Sequence, residues 1–273
     1  MTSPNDNQLR ETGMQRRLRR LKSSIRKRTS AAYFKGWVSI TNSTYTRLMA
    51  SVTGRVRCHG SVFDLRHPRM IDSIRHALEK GTYEECEIAM IDRFIRNEDR
   101  VVELGACLGA TSMFLCDRVG ADRLVVYEAD PRNLEMAQHN FLINKMNIRC
   151  ENAILWSGPD RPKTVSFGSN ENPSSSSLLE RKGNKTTFEI PTRDFEAVLQ
   201  EHEATAIVLD IEGGEVELFN NAGDLNGIRI ILMEAHERIV GAETNREMLE
   251  TLKARGFEIV ENLSNQFVVL ARS

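Results

Sequence analysis

The chain has 273 residues, 40% of them hydrophobic and 27% charged, enough for one sizeable core with appendages. Its net charge of −1 is unevenly spread, because residues 1–35 hold ten Lys and Arg against two acids and leave the rest acidic. An acidic body argues against nucleic acid as the main partner, and five cysteines without C-x-x-C spacing argue against a disulfide framework or a zinc ribbon.

Residues 1–13 are polar and expected to be disordered. From Met14 to Arg28 the apolar residues Met14, Leu18, Leu21 and Ile25 form a helical stripe with Arg and Lys around it. Such a basic helix fits its own domain or a second subunit as in a homodimer, or an anionic membrane surface, and RNA less well. No apolar run reaches membrane-spanning length and the first residues lack a secretory core, so the expectation is a cytoplasmic protein with at most peripheral contact at the inner membrane face. Residues 31–53 suggest a helix around Tyr33, Phe34 and Trp37, and 55–65 a hairpin turning at His59-Gly60. Pro68 opens a helix with Ile71, Ile74 and Leu78 on one side, stopped by Gly81. Thr82-Tyr83-Glu84-Glu85 has the capping-box pattern for a second helix running to about Asn97. The expected boundaries are a basic segment 1–30, an extension 31–80 and a main domain 81–273.

The stretch Val101-Val102-Glu103-Leu104-Gly105-Ala106-Cys107-Leu108-Gly109 reads as a buried strand with an acid near its end, a glycine turn and a helix starting at once. Gly105 and Gly109 suggest room for a ligand against bare backbone. A dinucleotide fingerprint needs glycine at 105, 107 and 110, where the chain has Gly105, Cys107 and Ala110. The acid-x-Gly-x-x-x-Gly spacing fits better the loop of enzymes that use S-adenosylmethionine (SAM), with Glu103 reaching the amino acid end of the cofactor. Leu124–Glu128 is a second strand ending in an acid, placed to accept hydrogen bonds from ribose hydroxyls. Asp130-Pro131 caps a helix whose expected buried side is Leu134, Ala137, Phe141 and Leu142.

Residues 149–154 form the third strand, with Asn152 beside an expected adenine. Residues 157–185 are rich in Gly, Ser, Asn and Pro, the composition of a lid or a disordered loop, flanked by short strands at 164–167 and 187–190. Thr192–Phe195 opens a helix to about Glu201. The fourth strand begins at Ala206 and exits through Asp210-Ile211-Glu212-Gly213-Gly214-Glu215. Three carboxylates within six residues are costly to crowd unless something cationic or protic uses them. Asp210 and Glu212 are the functional candidates, and Glu215 reads equally well as first-turn helix charge. The fifth strand ends at Glu234 and His236, which the period of two points the same way. A helix at 243–255 and two strands, 257–262 and 266–271, turning at Ser264-Asn265 complete the chain. The expected fold is therefore α/β and Rossmann-like: a seven-stranded mixed sheet, last strand antiparallel, with helices on both faces and an N-terminal helical and hairpin extension. That is the class I methyltransferase plan.

Several segments resemble the FkbM-type methyltransferase family: Gly81-x-Tyr83-Glu84, Val102 to Gly109, Tyr127-Glu128-Ala129-Asp130-Pro131, Asn140-x-x-x-Asn144, Ser175-Ser176-Ser177-Leu178, Pro191-Thr192-x-Asp194, Leu209-Asp210-Ile211-Glu212-Gly213-x-Glu215 and Glu234-x-His236. The chain departs from the family at Glu103, often Asp, and at Cys107, usually Asn. The resemblance implies SAM-dependent O-methylation of a sugar, a glycan or glycolipid, or a polyketide-type acceptor. It places Tyr83, Ala106, Cys107, Ala129 and Asp210 at the cofactor, beside Glu103, Gly105, Gly109, Glu128 and Asn152. Asp210 and His236 are the candidate bases, with Glu212 and Glu234 beside them. A divalent cation held by Asp210, Glu212, Glu234 and His236 ranks below a metal-free site, since no ligand spacing is diagnostic. Two other classes remain: a nucleic-acid or protein methyltransferase, disfavoured by the lack of an Asn/Asp-Pro-Pro-aromatic turn after the fourth strand, and a non-catalytic SAM-binding adapter.

Overall fold

The computed structural model describes residues 50–170, 172–173, 186–263 and 266–272. The basic helix, the aromatic segment around Trp37, the serine tract and the turn at Ser264-Asn265 lie outside the described residues.

A hairpin, β1 (Arg55–Cys58) and β2 (Ser61–Asp64), opens the described chain and turns at His59-Gly60 as the residues suggest. Helices α1 (Asp72–Lys80) and α2 (Glu85–Phe94) follow. Helix α1 ends on Gly81 in the left-handed conformation. The capping box at Thr82 does not form: Glu84 is itself left-handed (φ +50), and the Thr82 hydroxyl donates back to the Ala77 carbonyl. Helix α2 stops at Phe94, earlier than expected, where Asp99 captures the Arg96 N–H.

The main sheet alternates strands and helices: β3 (Val101–Leu104), α3 (Ala110–Val119), β4 (Leu124–Glu128), α4 (Pro131–Ile143) and β5 (Arg149–Asn152). A small second sheet interrupts it, formed by β6 (Ile154–Trp156), β7 (Thr164–Ser169) and β8 (Thr186–Asp194). Then come α5 (Phe195–Glu201), β9 (Ala206–Leu209), α6 (Glu215–Asn221), β10 (Ile230–Glu234), α7 (Glu237–Val240), α8 (Ala242–Ala254), β11 (Phe257–Leu263) and β12 (Phe267–Arg272). The helix expected from Thr192 begins only at Phe195, because β8 pairs with β6 as far as Asp194, which then caps α5 through the Ala197 N–H.

The seven strands lie in the order β5-β4-β3-β9-β10-β12-β11, the first five parallel and β12 antiparallel between β10 and β11. The expected α/β plan is thus observed, with β3 in the middle of the five parallel strands. Side chains alternate across the sheet. Val102, Leu104, Val125, Tyr127, Ile207, Leu209, Ile231 and Met233 bury against α5, α6 and α8. Val101, Leu124, Val126, Val208, Ile230 and Leu232 bury against α1 to α4. Each such side chain contributes roughly 1.5–3 kcal/mol by leaving water. The same alternation puts Glu103, Glu128 and Glu234 on the α1–α4 face at the carboxyl ends of their strands, with Asp210 one residue past β9.

Residues 50–80 share that core: Val56, Phe63, Ile74 and Leu78 pack in the same cluster as Met113 and Phe141. Helix α4 buries Asn133, Met136, Ala137, Asn140 and Phe141, whereas Leu142, expected inside, is 75% exposed. The polar members of that face have work to do. Asn144 exchanges two hydrogen bonds with the Val62 main chain (2.8 and 2.7 Å), and Asn140 bridges the Asp64 N–H and the Leu108 carbonyl. The hairpin edge is thereby covered by two side chains one helical turn apart. Arg69, 8% exposed, ties the extension to Asp130, Asn133 and the Asn170 carbonyl. Among the described residues no helix is long and apolar enough to cross a membrane.

Candidate active site

The carboxyl ends of the parallel strands open into a cleft enclosing about 860 Å3, part of it open to solvent. Such a position is where open α/β sheets bind ligands. Gly105, Cys107, Glu128, Ala129, Asp210 and Glu212 line it on the polar side, and Leu155, Phe167 and Leu218 on the apolar side. A second, smaller cavity, about 380 Å3 with part of it open to solvent, continues past Gly105 and Asp210 and is lined by Glu84, Glu87, Glu103 and Glu234.

Glu128 is 5% exposed, and its two oxygens accept the Cys107 and Asp130 N–H groups at 2.8 Å each. Burial pushes its carboxyl up to about 7 against those two hydrogen bonds. Glu103 is 1% exposed; Oε1 accepts the Thr111 hydroxyl at 2.5 Å and Oε2 is buried without a partner. Burial likewise pushes Glu103 up to about 7, with Thr111 and Ser112 opposing. Glu84, half-buried and facing Glu103 and Glu234, is also pushed up to about 7 by desolvation. An orphaned carboxylate oxygen at the end of a cavity calls for a donor or a cation.

The two glycines of the loop also answer a packing demand. A Cβ on Gly105 would stand 2.0 Å from the Asp210 carbonyl oxygen, and one on Gly109 would stand 2.5 Å from Phe141 Cε1. Both also have φ near +90°. They let the exit of β9 and helix α4 close onto the loop. Gly105 lines the cleft, but Gly109 does not. Of the other expected cofactor residues, Ala106 is buried in the core. Tyr83 points its hydroxyl at Cys107 Sγ (3.6 Å) and accepts His59 Nε2 on its carbonyl. The Asn152 amide nitrogen donates to the Glu128 and Ala129 carbonyls, so it braces the β4 exit and is not a cleft-lining residue.

Past β9 the chain turns through Glu212, a non-glycine residue at φ +53, which costs about 1–3 kcal/mol. The turn brings three carboxylates around His236. Its Nδ1 is 3.1 Å from Glu215 Oε1, and its Nε2 is 3.3 Å from Asp210 Oδ1 and 3.8 Å from Glu212 Oε2. Glu215 also takes the His236 and Gly213 N–H groups at 2.8 Å each. An ionised carboxylate only accepts, so Nδ1 carries the proton in that pair. Burial alone would lower the imidazole, but the Glu215 hydrogen bond and the charges of Asp210, Glu215 and Glu212 outweigh it and raise His236 to about 9. Glu215 is held below the carboxylate range by the same partner despite its burial, while burial and the Glu234 charge push Asp210 up.

Glu215 is therefore a fully buried orienting partner of His236 rather than the solvated first-turn charge that its position on α6 suggests. Glu234, expected beside His236, instead faces Glu84 and Glu87 across the second cavity and accepts Gln266 Nε2. The chain leaves the strand after Glu234, so the period of two no longer aligns it with His236. The described residues with metal-ligand geometry are Asp210, Glu212 and His236. Glu84 and Glu87 line the site without having been expected there; the Gly81-x-Tyr83-Glu84 segment is the signal for Glu84, and Glu87 has none.

No curated protein matches the chain. Solved structures similar to it include a protein of the NADB-Rossmann superfamily from Streptococcus agalactiae (14% identity, 68% of each chain covered, TM-score 0.42). Another is precorrin-6y C5,15-methyltransferase from Geobacter metallireducens (13%, 70% of this chain and 90% of that one, 0.41). A third is the ribosomal protein L11 methylase from Lactobacillus delbrueckii subsp. bulgaricus (12%, 71% and 78%, 0.41). Residues 103–259, more than half of the chain, match the methyltransferase FkbM domain. The chain belongs to the FkbM family of methyltransferases.

Proposed function

We propose that the protein is a SAM-dependent O-methyltransferase that methylates a hydroxyl of a sugar, a glycan or a polyketide-type small molecule. One observation carries the choice of cofactor. Among the described residues eight carboxylates (Glu84, Glu87, Glu103, Glu128, Asp210, Glu212, Glu217 and Glu234) line the two cavities, and no Lys or Arg does. A pyrophosphate or a nucleic-acid backbone would be repelled there, whereas a ligand with sulfonium and ammonium charges is attracted. SAM supplies an electrophilic methyl group on sulfur. Glu128 would hold the ribose hydroxyls, Leu155 and Phe167 would flank the base, and the free oxygen of Glu103 would take the ammonium group. The choice of oxygen as acceptor and of the acceptor class is supported by the Asp-x-Glu-Gly-x-Glu and Glu-x-His segments that the chain shares with its family.

Asp210 lines both cavities and is 3.3 Å from His236 Nε2, and at this pair the acceptor hydroxyl would lose its proton as the O–C bond forms. Glu215 fixes the ring so that Nε2 faces Asp210 and Glu212. The test is transfer of labelled methyl from SAM to nucleotide sugars, lipid-linked glycans and macrolides by the full chain and by D210A and H236A. Turnover is expected to fall at least about 100-fold in each variant, with S-adenosylhomocysteine affinity changed less than about threefold. Near-normal turnover in both would remove them from the mechanism. The adapter reading would win if no cofactor bound.

A further inference from the structure

Glu215 and His236 form a pair that is built like a metal ligand with its outer carboxylate. A ligating imidazole gives its second N–H to a buried carboxylate, which fixes both tautomer and ring plane. Here Nδ1 is taken by Glu215, whose side chain has no exposure, and Nε2 is left toward Asp210 and Glu212. One donor atom each from Asp210, Glu212 and His236 lies within 4.8 Å of the other two. The Nε2 to oxygen separations of 3.3 and 3.8 Å are close to the ~3.0–3.4 Å between neighbouring ligands on bonds of about 2.1 Å. Two independent features point to a cation there. The Asp210 Oδ1 atom is buried with no hydrogen bond aligned on it, although the side chain as a whole is 35% exposed, and among the described residues no Lys or Arg lines either adjoining cavity to answer its acids.

We infer that Asp210, Glu212 and His236 Nε2 form a divalent-cation site, with Glu215 as the positioning residue of the ring. One imidazole and two carboxylates suit Mn2+, Mg2+ or Zn2+, and leave positions for water or a substrate oxygen. Its purpose rests on the methyl-transfer reading: Asp210 and Glu212 line the cofactor cleft, so a hydroxyl bound to the cation is acidified beside the methyl donor. Its proton leaves to solvent as the methyl ether forms and the C–S bond breaks.

The test uses Mn2+ on the full, metal-stripped chain, read by calorimetry and pulsed electron paramagnetic resonance, with S-adenosylhomocysteine titrated separately. One Mn2+ per chain is expected, showing nitrogen coupling from an imidazole. H236A should abolish that coupling, and E212Q and E215Q should weaken binding about 10–100-fold. Absence of saturable Mn2+ binding in a protein that still binds S-adenosylhomocysteine overturns the cation site and leaves the cofactor reading intact. Mn2+ bound without nitrogen coupling in the wild type overturns it as well, whether or not the variants fold. Mn2+ with imidazole coupling but no S-adenosylhomocysteine binding supports the site and contradicts the methyl-transfer reading.

Discussion

Glu128 accepts two main-chain N–H groups and yet keeps lone pairs for two ligand hydroxyls, so its removal should act on affinity as well as on fold. E128A is expected to weaken S-adenosylhomocysteine by about 10–100-fold in calorimetry, and E128Q by less because one acceptor survives. Protonation gives a second handle on the same residue. Glu103 and Glu128 sit near 7 in the free protein, and ligand ammonium and hydroxyl donors favour their ionised forms. Binding therefore expels protons, and affinity should rise as pH goes from 6 to 8. Stability runs the other way. The folded state keeps protons that the unfolded chain has lost, so the contribution of these carboxyls falls as pH climbs from the ordinary carboxylate range through 7. The thermal shift given by S-adenosylhomocysteine should be wider at pH 8 than at pH 6; a shift that narrows would contradict the placement of both acids. Glu103 and Glu128 were legible from strand-acid-glycine spacing alone. Glu215 was not, since nothing in a helical first turn tells a solvated carboxylate from one under an imidazole 21 residues away.

At the level of elements, the Gly105 turn and the face of α4 hold the site in shape. G105A would press a methyl group against the Asp210 carbonyl at a φ of +89, and should lower stability by more than about 3 kcal/mol in urea unfolding. N140A leaves the Asp64 N–H and the Leu108 carbonyl without a partner. A loss of roughly 2–4 kcal/mol is expected with the urea m-value unchanged. A change below about 0.5 kcal/mol would mean that the hairpin is held by apolar contact alone. Strands β3, β4, β9 and β10 could be read from their apolar runs, and the terminal hairpin from its alternation. The capping box at Thr82 misled because Tyr83 is drawn into the core, where its hydroxyl meets Cys107 and its carbonyl meets His59. The preceding glycine then starts a tight link in place of a cap. Leu142 misled for a related reason: two asparagines that serve the hairpin occupy the face a leucine was expected to fill.

At the scale of the whole molecule, one arrangement joins fold and chemistry. Four acids at the carboxyl ends of the strands line the two cavities: Glu128 the first, Glu103 and Glu234 the second, and Asp210 both. A seven-stranded plan with an antiparallel last strand was readable from strand count and terminal hairpin. The excess of negative charge in the site was not, because it comes from α2, β3, β4, β9 and β10 together and appears only when the strands are laid side by side. Calorimetric titration of the full chain with S-adenosylhomocysteine and, separately, with NAD+ tests the central claim most directly. One saturable site for the sulfur nucleoside, weakened in E128A, with no heat from the dinucleotide is the result predicted. Saturable binding of the dinucleotide, or none of the sulfur nucleoside, would contradict it.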